Sequence, residues 1–174
     1  MKEVIIQFDE FLFNKGLRFE ATIIGGAALI VMNIVTRVTQ DVDCLDPDIP
    51  EEIIRASQDF AKANPHLFLV KNWLNNGPID LKRDLPDGWK LRLQDIFKGK
   101  AIHFQTLGRI DLLKSKLFAC ADRDLDFSDC VKLNPSKEEL LEATPWVKNQ
   151  DANPLWEKRV DLVFKKISEA LKHE

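Results

Sequence analysis

The chain has 174 residues and a formal net charge of −3 at pH 7, and 45% of its residues are hydrophobic. This length fits one domain, or one domain with a helical extension, and the apolar fraction is that of a globular protein rather than a disordered one. The acidic balance removes the simplest reason to expect nonspecific binding to nucleic acids or membranes. The three cysteines have no metal-ligand spacing, which disfavours both a disulfide scaffold and a zinc module.

Neither a signal peptide nor a membrane span is predicted. Gln7, Asp9 and Glu10 interrupt the apolar residues at the N-terminus, where a signal peptide needs a long apolar run. The longest apolar stretch, residues 27–35, is far shorter than the ~20 residues that cross a bilayer. We therefore expect a cytoplasmic protein without a membrane partner.

Hydrophobic spacing predicts alternating helices and strands over the first two thirds of the chain. Glycine and proline mark their ends, most clearly at Gly25-Gly26, where a strand stops and a buried helix begins. The predicted helices cover residues 3–15, 27–32 and 51–63, and the predicted strands cover 19–24, 39–45, 67–70, 89–93 and 101–107. The segment between the third and fourth strands is rich in Asn, Gly, Pro and Asp and is predicted to be a loop.

From Arg109 onward the pattern is helical. Ser136 and Glu139 have the spacing of a capping box, and Asn153-Pro154 is typical of a helix start. The order of elements predicts an α/β (α+β) fold, in which C-terminal helices follow a small mixed sheet of four or five strands. We expect residues 1–108 to form the α/β core and residues 109–174 the helical portion, both within one compact unit.

The strongest chemical signal is Gly25-Gly26 followed by Asp41-Val42-Asp43. Residues two apart in a strand point to the same side, so the two carboxylates are expected to project together. Paired carboxylates suit Mg²⁺, or Mn²⁺, and a glycine-started helix lets a phosphate approach backbone N–H groups. Two aspartates spaced in this way, without other signals, more often belong to a solvated loop, and an isolated Gly-Gly is more often a turn. The strand–Gly-Gly–helix–strand order favours a site for a metal-bound triphosphate.

These residues resemble the nucleotidyltransferase superfamily (polymerase-beta-like), in a minimal branch that includes toxins of abortive-infection-type toxin–antitoxin pairs. The resemblance rests on Gly25-Gly26 and on the run from Arg37 through Thr39 and Asp41 to Asp43. A weaker second signature is similar over residues 112–129. The resemblance implies a mixed sheet of nucleotidyltransferase type, Mg²⁺ (or Mn²⁺) as cofactor and an NTP as substrate. It also implies a tRNA end or a protein as acceptor, and a cognate antitoxin as partner.

Carried over by position, the resemblance places nucleotide phosphates on Gly25 and Gly26 and the divalent metal on Asp41 and Asp43. Thr39 supports the loop or the ligand. Lys116 and Arg123, on a basic stripe of the helix that begins at Arg109, are the other predicted nucleotide-binding residues. The competing interpretation of that stripe is a solvated face paired with the nearby aspartates.

Two features depart from the superfamily pattern. Gly26 stands where many members have serine, and the third carboxylate of the superfamily has no obvious counterpart. Asp80 and Asp95 are candidates, and Asp80 has the better apolar setting, so we predict Asp80 as the third catalytic carboxylate beside Asp41 and Asp43. The leading hypothesis is a nucleotidyltransferase that moves an NMP group to an RNA end, a protein or a small molecule. The alternatives are a catalytically degraded member that binds a nucleotide or a partner, and a helical interaction protein with an incidental acidic motif.

Overall fold

The computed structural model describes residues 1–77, 81–123 and 126–172. Its helices are α1 (Lys2–Asn14), α2 (Gly25–Val31), α3 (Glu51–Ala63), α4 (Leu81–Asp84), α5 (Arg109–Arg123), α6 (Phe127–Lys132), α7 (Lys137–Lys148) and α8 (Trp156–Leu171). Its strands are β1 (Phe19–Ile24), β2 (Val42–Asp46), β3 (Leu74–Asn76), β4 (Gln94–Lys98) and β5 (Ile102–Thr106). Two short 3₁₀ helices cover Pro65–Leu67 and Trp89–Arg92.

The five strands form one mixed sheet in the order β3-β2-β1-β5-β4. Strand β1 lies at the centre, antiparallel to β2 and parallel to β5. The edge strand β3 runs parallel to β2, and the other edge strand, β4, is antiparallel to β5. The mixed α/β fold with a small sheet, predicted from the order of elements, is confirmed.

The chain divides into two compact units, of which the first comprises Met1–Arg83 and Lys90–Leu107 and contains the sheet. Its hydrophobic core lies between one face of the sheet and the apolar sides of α1, α2 and α3. Trp73 is almost fully buried there and meets Phe8 edge to face, with the ring centroids 5.1 Å apart. The Trp73 indole N–H also donates to the carbonyl oxygen of Ser57 at 3.0 Å. Trp73 is therefore a residue of the hydrophobic core.

Two predicted strands are wrong. Leu67 ends a 3₁₀ helix, and Phe68 after it has a φ of 52° with 85% of its surface exposed, so residues 67–70 do not pair with the sheet. Residues 89–92 form the second 3₁₀ helix, which places Trp89 in a buried position. Strands form instead at Leu74–Asn76 and at Gln94–Lys98. The sheet therefore includes Asn75 and Asn76, which the sequence assigns to a loop.

The second unit comprises Asp84–Trp89 and the chain from Gly108 onward. Its long helices α5, α7 and α8 pack together, and the side chains of Trp156, Val160, Val163 and Ile167 form a buried stripe along α8. The capping box of α7 is confirmed, with Ser136 and Glu139 bonding each other's backbone N–H groups. None of the helices described here is long and apolar enough to cross a membrane.

One buried carboxylate fixes the turn between β4 and β5 to helix α1. Asp9 accepts hydrogen bonds from the backbone N–H groups of Lys100, Ala101 and Ile102, at 2.9, 2.8 and 2.7 Å. Gly99 packs so closely against this carboxylate that a side chain at that position would overlap it. Asp9 thus holds in place one end of the strand pair that flanks β1.

Replacement of Asp9 by alanine is expected to destabilise the first unit strongly. Hydrogen bonds to a charged acceptor are worth about 1.5–3 kcal/mol each, so we expect the free energy of unfolding to fall by about 3 kcal/mol or more. The measurement is denaturant unfolding followed by circular dichroism. Glu10→Ala is the matched control, because Glu10 makes an exposed ion pair with Lys100, which is worth about 1 kcal/mol at most. Equal effects of the two substitutions would contradict the assignment.

Candidate active site

The site begins where β1 ends and α2 starts without a connecting loop. Ile24, the last residue of β1, pairs with Asp43 of β2. Gly25 has a φ of 72°, in the left-handed region that favours glycine. A methyl group built on Gly25 would lie only 2.8 Å from Oδ2 of Asp43. Glycine is therefore required at position 25 both by the backbone and by the carboxylate beside it.

Gly26 is covered by the guanidinium group of Arg37. A methyl group built on Gly26 would lie 2.9 Å from Nη2 and 3.2 Å from Nη1 of Arg37. A serine, common at this position in the superfamily that the sequence resembles, would force the guanidinium to move. The Arg37 guanidinium group thus occupies the space that a serine side chain would need. The sequence motif gives no means to predict this contact.

Asp41 lies just before β2, because the strand begins at Val42 and not at the predicted Thr39. Pairing starts there, where the Val42 N–H donates to the Trp73 carbonyl oxygen at 2.6 Å. The Thr39 hydroxyl donates to Oδ1 of Asp41 at 2.9 Å. Thr39 therefore orients one carboxylate of the acidic pair, whereas its predicted contact with a nucleotide stays a prediction.

Asp43 is half-buried within β2, and Cys44 next to it points into the core. Burial first, and then the neighbouring charge of Asp43, raises the pKa of the Cys44 thiol well above its ordinary value. The thiol is therefore protonated at neutral pH and has no access to a ligand. Cys44 therefore serves packing in the core rather than thiol chemistry.

The third carboxylate is not found at Asp95. This residue is on β4, where its carboxylate bonds Nε2 of His103 at 2.8 Å and the side-chain amide of Gln105 at 2.9 Å. The hydrogen bonds from Gln105 and His103 lower the pKa of Asp95. Strands β1 and β5 separate β4 from β2, which puts Asp95 about 14 Å across the sheet from Asp43. Asp80, the preferred candidate, lies outside the described residues.

The acidic pair fits a metal that shares its ligands with a substrate. Within residues 1–77, 81–123 and 126–172, no group of three or more His, Cys, Asp or Glu side chains could hold a metal ion. Asp41 and Asp43 offer carboxylate oxygens, and Mg²⁺ binds through one or two carboxylates while it keeps waters and substrate phosphates. The donor set therefore suits Mg²⁺ held jointly with a nucleotide rather than in an all-protein cage.

Lys116 and Arg123 are in the second unit, on α5. Lys116 is buried, and its ammonium group pairs with Asp126 at 3.0 Å and with Asp129 at 2.9 Å. Arg123 is largely exposed, with Nη2 3.8 Å from Oδ2 of Asp126. These contacts give Lys116 a structural role, and nucleotide binding by either residue stays a prediction.

A mixed sheet in which a glycine-started helix meets an acidic strand is consistent with the nucleotidyltransferase class of fold. The chain belongs to a family described as nucleotidyltransferases of unknown function (DUF6036), which it matches over residues 1–132. No match was found among curated proteins or among solved structures. The superfamily inferred from the Gly-Gly and acidic motifs is thereby confirmed, and the match includes the whole sheet.

A substitution at Gly25 is expected to damage the site beyond its effect on the backbone. Gly16 is the matched control, because its φ of 67° is similar but, beyond its two chain neighbours, no described residue comes within 4 Å of a methyl group built there. We expect Gly16→Ala to lower the free energy of unfolding by about 1–2 kcal/mol, the cost of the left-handed conformation. Gly25→Ala is expected to cost more, because it also displaces the Asp43 carboxylate. Thermal and denaturant unfolding of both variants measures the difference, and equal losses would contradict the close contact.

Proposed function

We propose that the protein transfers a nucleoside monophosphate from an NTP to an acceptor hydroxyl. The observation that carries this proposal is the contact between Gly25 and Asp43, which brings a helix start and an acidic strand to one point. Membership in the nucleotidyltransferase family supports the same reaction class and implies an NTP as substrate. The predicted toxin activity and cognate antitoxin stay predictions.

In the proposed reaction the acceptor oxygen attacks the α-phosphorus of the NTP. A new oxygen–phosphorus bond forms, the bond from the α-phosphorus to the α,β-bridging oxygen breaks, and pyrophosphate leaves with that electron pair. The acceptor hydroxyl releases one proton. Most of the catalytic effect in such transfers comes from positioning and from electrostatic stabilisation, since little covalent chemistry falls to the protein.

Each site residue has a role in this proposal. The backbone at Gly25 and Gly26 lets the phosphates approach closely, and Arg37 supplies positive charge beside them. Asp41, oriented by Thr39, and Asp43 would hold Mg²⁺. When bound, Mg²⁺ neutralises charge on the triphosphate and on the departing pyrophosphate. Asp80 stays the predicted base that receives the acceptor proton.

Replacement of both acidic residues tests the reaction directly. We expect Asp41→Asn with Asp43→Asn to reduce NMP transfer by about 10²-fold or more, because the charge opposite the triphosphate is lost. The assay is incubation with each α-³²P-labelled NTP and Mg²⁺, with and without total tRNA, resolved on a gel. Asp48→Asn is the control, since Asp48 is an exposed carboxylate after β2 that pairs with Lys82. Label that persists in the double variant would overturn the site assignment.

The same gel separates the acceptor classes and tests Asp80. Label in an RNA band identifies an RNA end as acceptor, and label in a protein band identifies a protein hydroxyl. Asp80→Asn is expected to slow transfer while NTP binding is retained, because a base acts on the acceptor and not on the triphosphate. Unchanged transfer in Asp80→Asn would remove the predicted base.

Arg37 is expected to contribute to NTP affinity. We predict that Arg37→Ala weakens binding of a non-hydrolysable NTP analogue by about tenfold, the effect of losing one charge-assisted contact of ~1.4 kcal/mol. Isothermal titration calorimetry at two salt concentrations measures this, and the difference should shrink at high salt. Arg55→Ala is the control, because Arg55 is an exposed arginine of α3 paired with Glu51. Equal affinity in the wild type and Arg37→Ala would remove Arg37 from the proposed site.

One observation favours a second candidate function. Among the described residues no third carboxylate joins Asp41 and Asp43. A degraded nucleotidyltransferase that binds a nucleotide without turnover would have this incomplete acidic set. NTP binding without any labelled product, in the wild type and with every acceptor tried, would establish this second function in place of the first.

A further inference from the structure

The strand next to Asp43 carries a polar side chain on the same face. In the parallel register of β2 and β3, Asp43 pairs with Asn75, and neighbouring strands lie about 4.8 Å apart. The preceding pair, Val42 and Leu74, is buried in the core, whereas Asp43 and Asn75 are both half-buried. Because side chains alternate between the two faces of a sheet, Asn75 and Asp43 lie side by side on the face turned away from the core.

The two adjacent asparagines of β3 have different roles. Asn76 uses its amide oxygen to accept the backbone N–H of Ile49 at 2.9 Å, which fixes the segment that leads into α3. Asn75 instead donates from Nδ2 to the Val42 carbonyl oxygen at 3.5 Å, a long and weak hydrogen bond. This bond turns the amide nitrogen toward the backbone, and the amide oxygen of Asn75 therefore points away from that carbonyl group.

Asp43 is closely enclosed by glycines on both sides. Gly25 touches its carboxylate from the β1 side, and a methyl group built on Gly77 would lie 3.0 Å from its Cβ atom. Neither glycine brings a side chain to the site. In β3, Asn75 is thus the residue that offers a side-chain oxygen on the face occupied by Asp43.

We propose that Asn75 supplies its amide oxygen as a neutral third ligand of the divalent cation, beside Asp41 and Asp43. This inference rests on the proposed function, because it assumes that Asp41 and Asp43 hold the metal. An amide oxygen is a hard, neutral donor of the kind that Mg²⁺ and Ca²⁺ accept in proteins. The observation that carries the proposal is the side-by-side register of Asp43 and Asn75.

A third ligand that is an amide rather than a carboxylate has two chemical consequences. The ligand set carries a charge of −2 and not −3, so it attracts a divalent cation less strongly on its own and depends more on the phosphates of the substrate. An amide also cannot accept a proton at neutral pH, so Asn75 leaves the acceptor proton to another group. The side chain acts as an oxygen ligand and not as a base.

Substitution of Asn75 tests the ligand role with Mn²⁺ as the probe. Free Mn²⁺ is measured by electron paramagnetic resonance during titration of the full chain, alone and with a non-hydrolysable NTP analogue. We expect Asn75→Asp to tighten Mn²⁺ binding by about tenfold, because a charged oxygen replaces a neutral one. Asn75→Ala is expected to weaken binding by about tenfold, because one ligand is lost.

Asn76→Asp is the matched control. It adds the same charge one residue away, at the position that pairs with Cys44, and an aspartate can still accept the Ile49 N–H. Unchanged Mn²⁺ affinity in Asn76→Asp, with tighter binding in Asn75→Asp, supports direct ligation. Equal tightening by both substitutions would mean that the added negative charge acts only through the electrostatic potential at the site, and it would overturn the proposal. Because Asn75→Asp preserves the shape of the side chain, the test stands even if Asn75→Ala folds poorly.

Asp41→Asn with Asp43→Asn separates this inference from the function on which it rests. If that double variant loses Mn²⁺ while Asn75→Asp and Asn75→Ala match the wild type, the role of Asn75 is wrong and the acidic pair stays assigned. If the wild type binds no Mn²⁺ with or without the analogue, the metal site of the proposed function fails, and the inference fails with it.

Discussion

The close approach of Asp43 to Gly25 is the constraint on which the arrangement of the site depends. Because Gly25 adopts a φ of 72°, β1 turns directly into α2, and no loop separates the sheet from the helix. The same glycine has no side chain, so the carboxylate of the neighbouring strand can lie against the first residue of the helix. Any larger residue would displace the Asp43 carboxylate from the start of the helix.

On the side of β2 that faces β3, the position of Asp43 depends on the hydrophobic core. Trp73 is held by aromatic contacts with Phe8 and by the carbonyl oxygen of Ser57, and its own carbonyl oxygen accepts the first N–H of β2. The registration of β3 against β2 therefore starts from a residue fixed in the hydrophobic core. A polar site at the end of the sheet is positioned in this way by apolar packing on the opposite face.

The sequence predicts those parts of the structure that local patterns determine. Strand β1 is predicted with its observed ends, because β-branched residues and Gly25-Gly26 mark them. The apolar run at residues 67–70 misleads, since it is typical of a strand, whereas β3 forms at two asparagines that are unfavourable in strands. Leu74 pairs in the sheet because its side chain is buried in the core, and this tertiary contact has no local signal in the sequence.

The candidate site likewise combines residues that a sequence motif identifies with contacts that only the folded chain creates. Gly25-Gly26 and the acidic pair are recognisable in the sequence, because the order of strand, Gly-Gly, helix and acidic strand indicates a phosphate and metal site and resembles the superfamily motif. The contact of Arg37 with Gly26 depends on the path of an irregular segment, and the pairing of Asn75 with Asp43 depends on strand register over thirty-two residues. Neither follows from periodicity or composition. At Lys116 the sequence leaves two interpretations open, and the structure shows the pairing with nearby aspartates, since the ammonium group is buried against Asp129.

The shortness of β3 links the occupancy of the site to local stability. This edge strand has three residues and a single neighbour in the sheet, and such segments open at a lower free energy than central strands do. A ligand that binds only when the strand is in place adds its binding free energy to the closed form. By thermodynamic reciprocity, a change that loosens the strand weakens the ligand by the same factor. Amide hydrogen exchange at residues 73–77 would therefore act as a gauge of site occupancy, independent of any product formed.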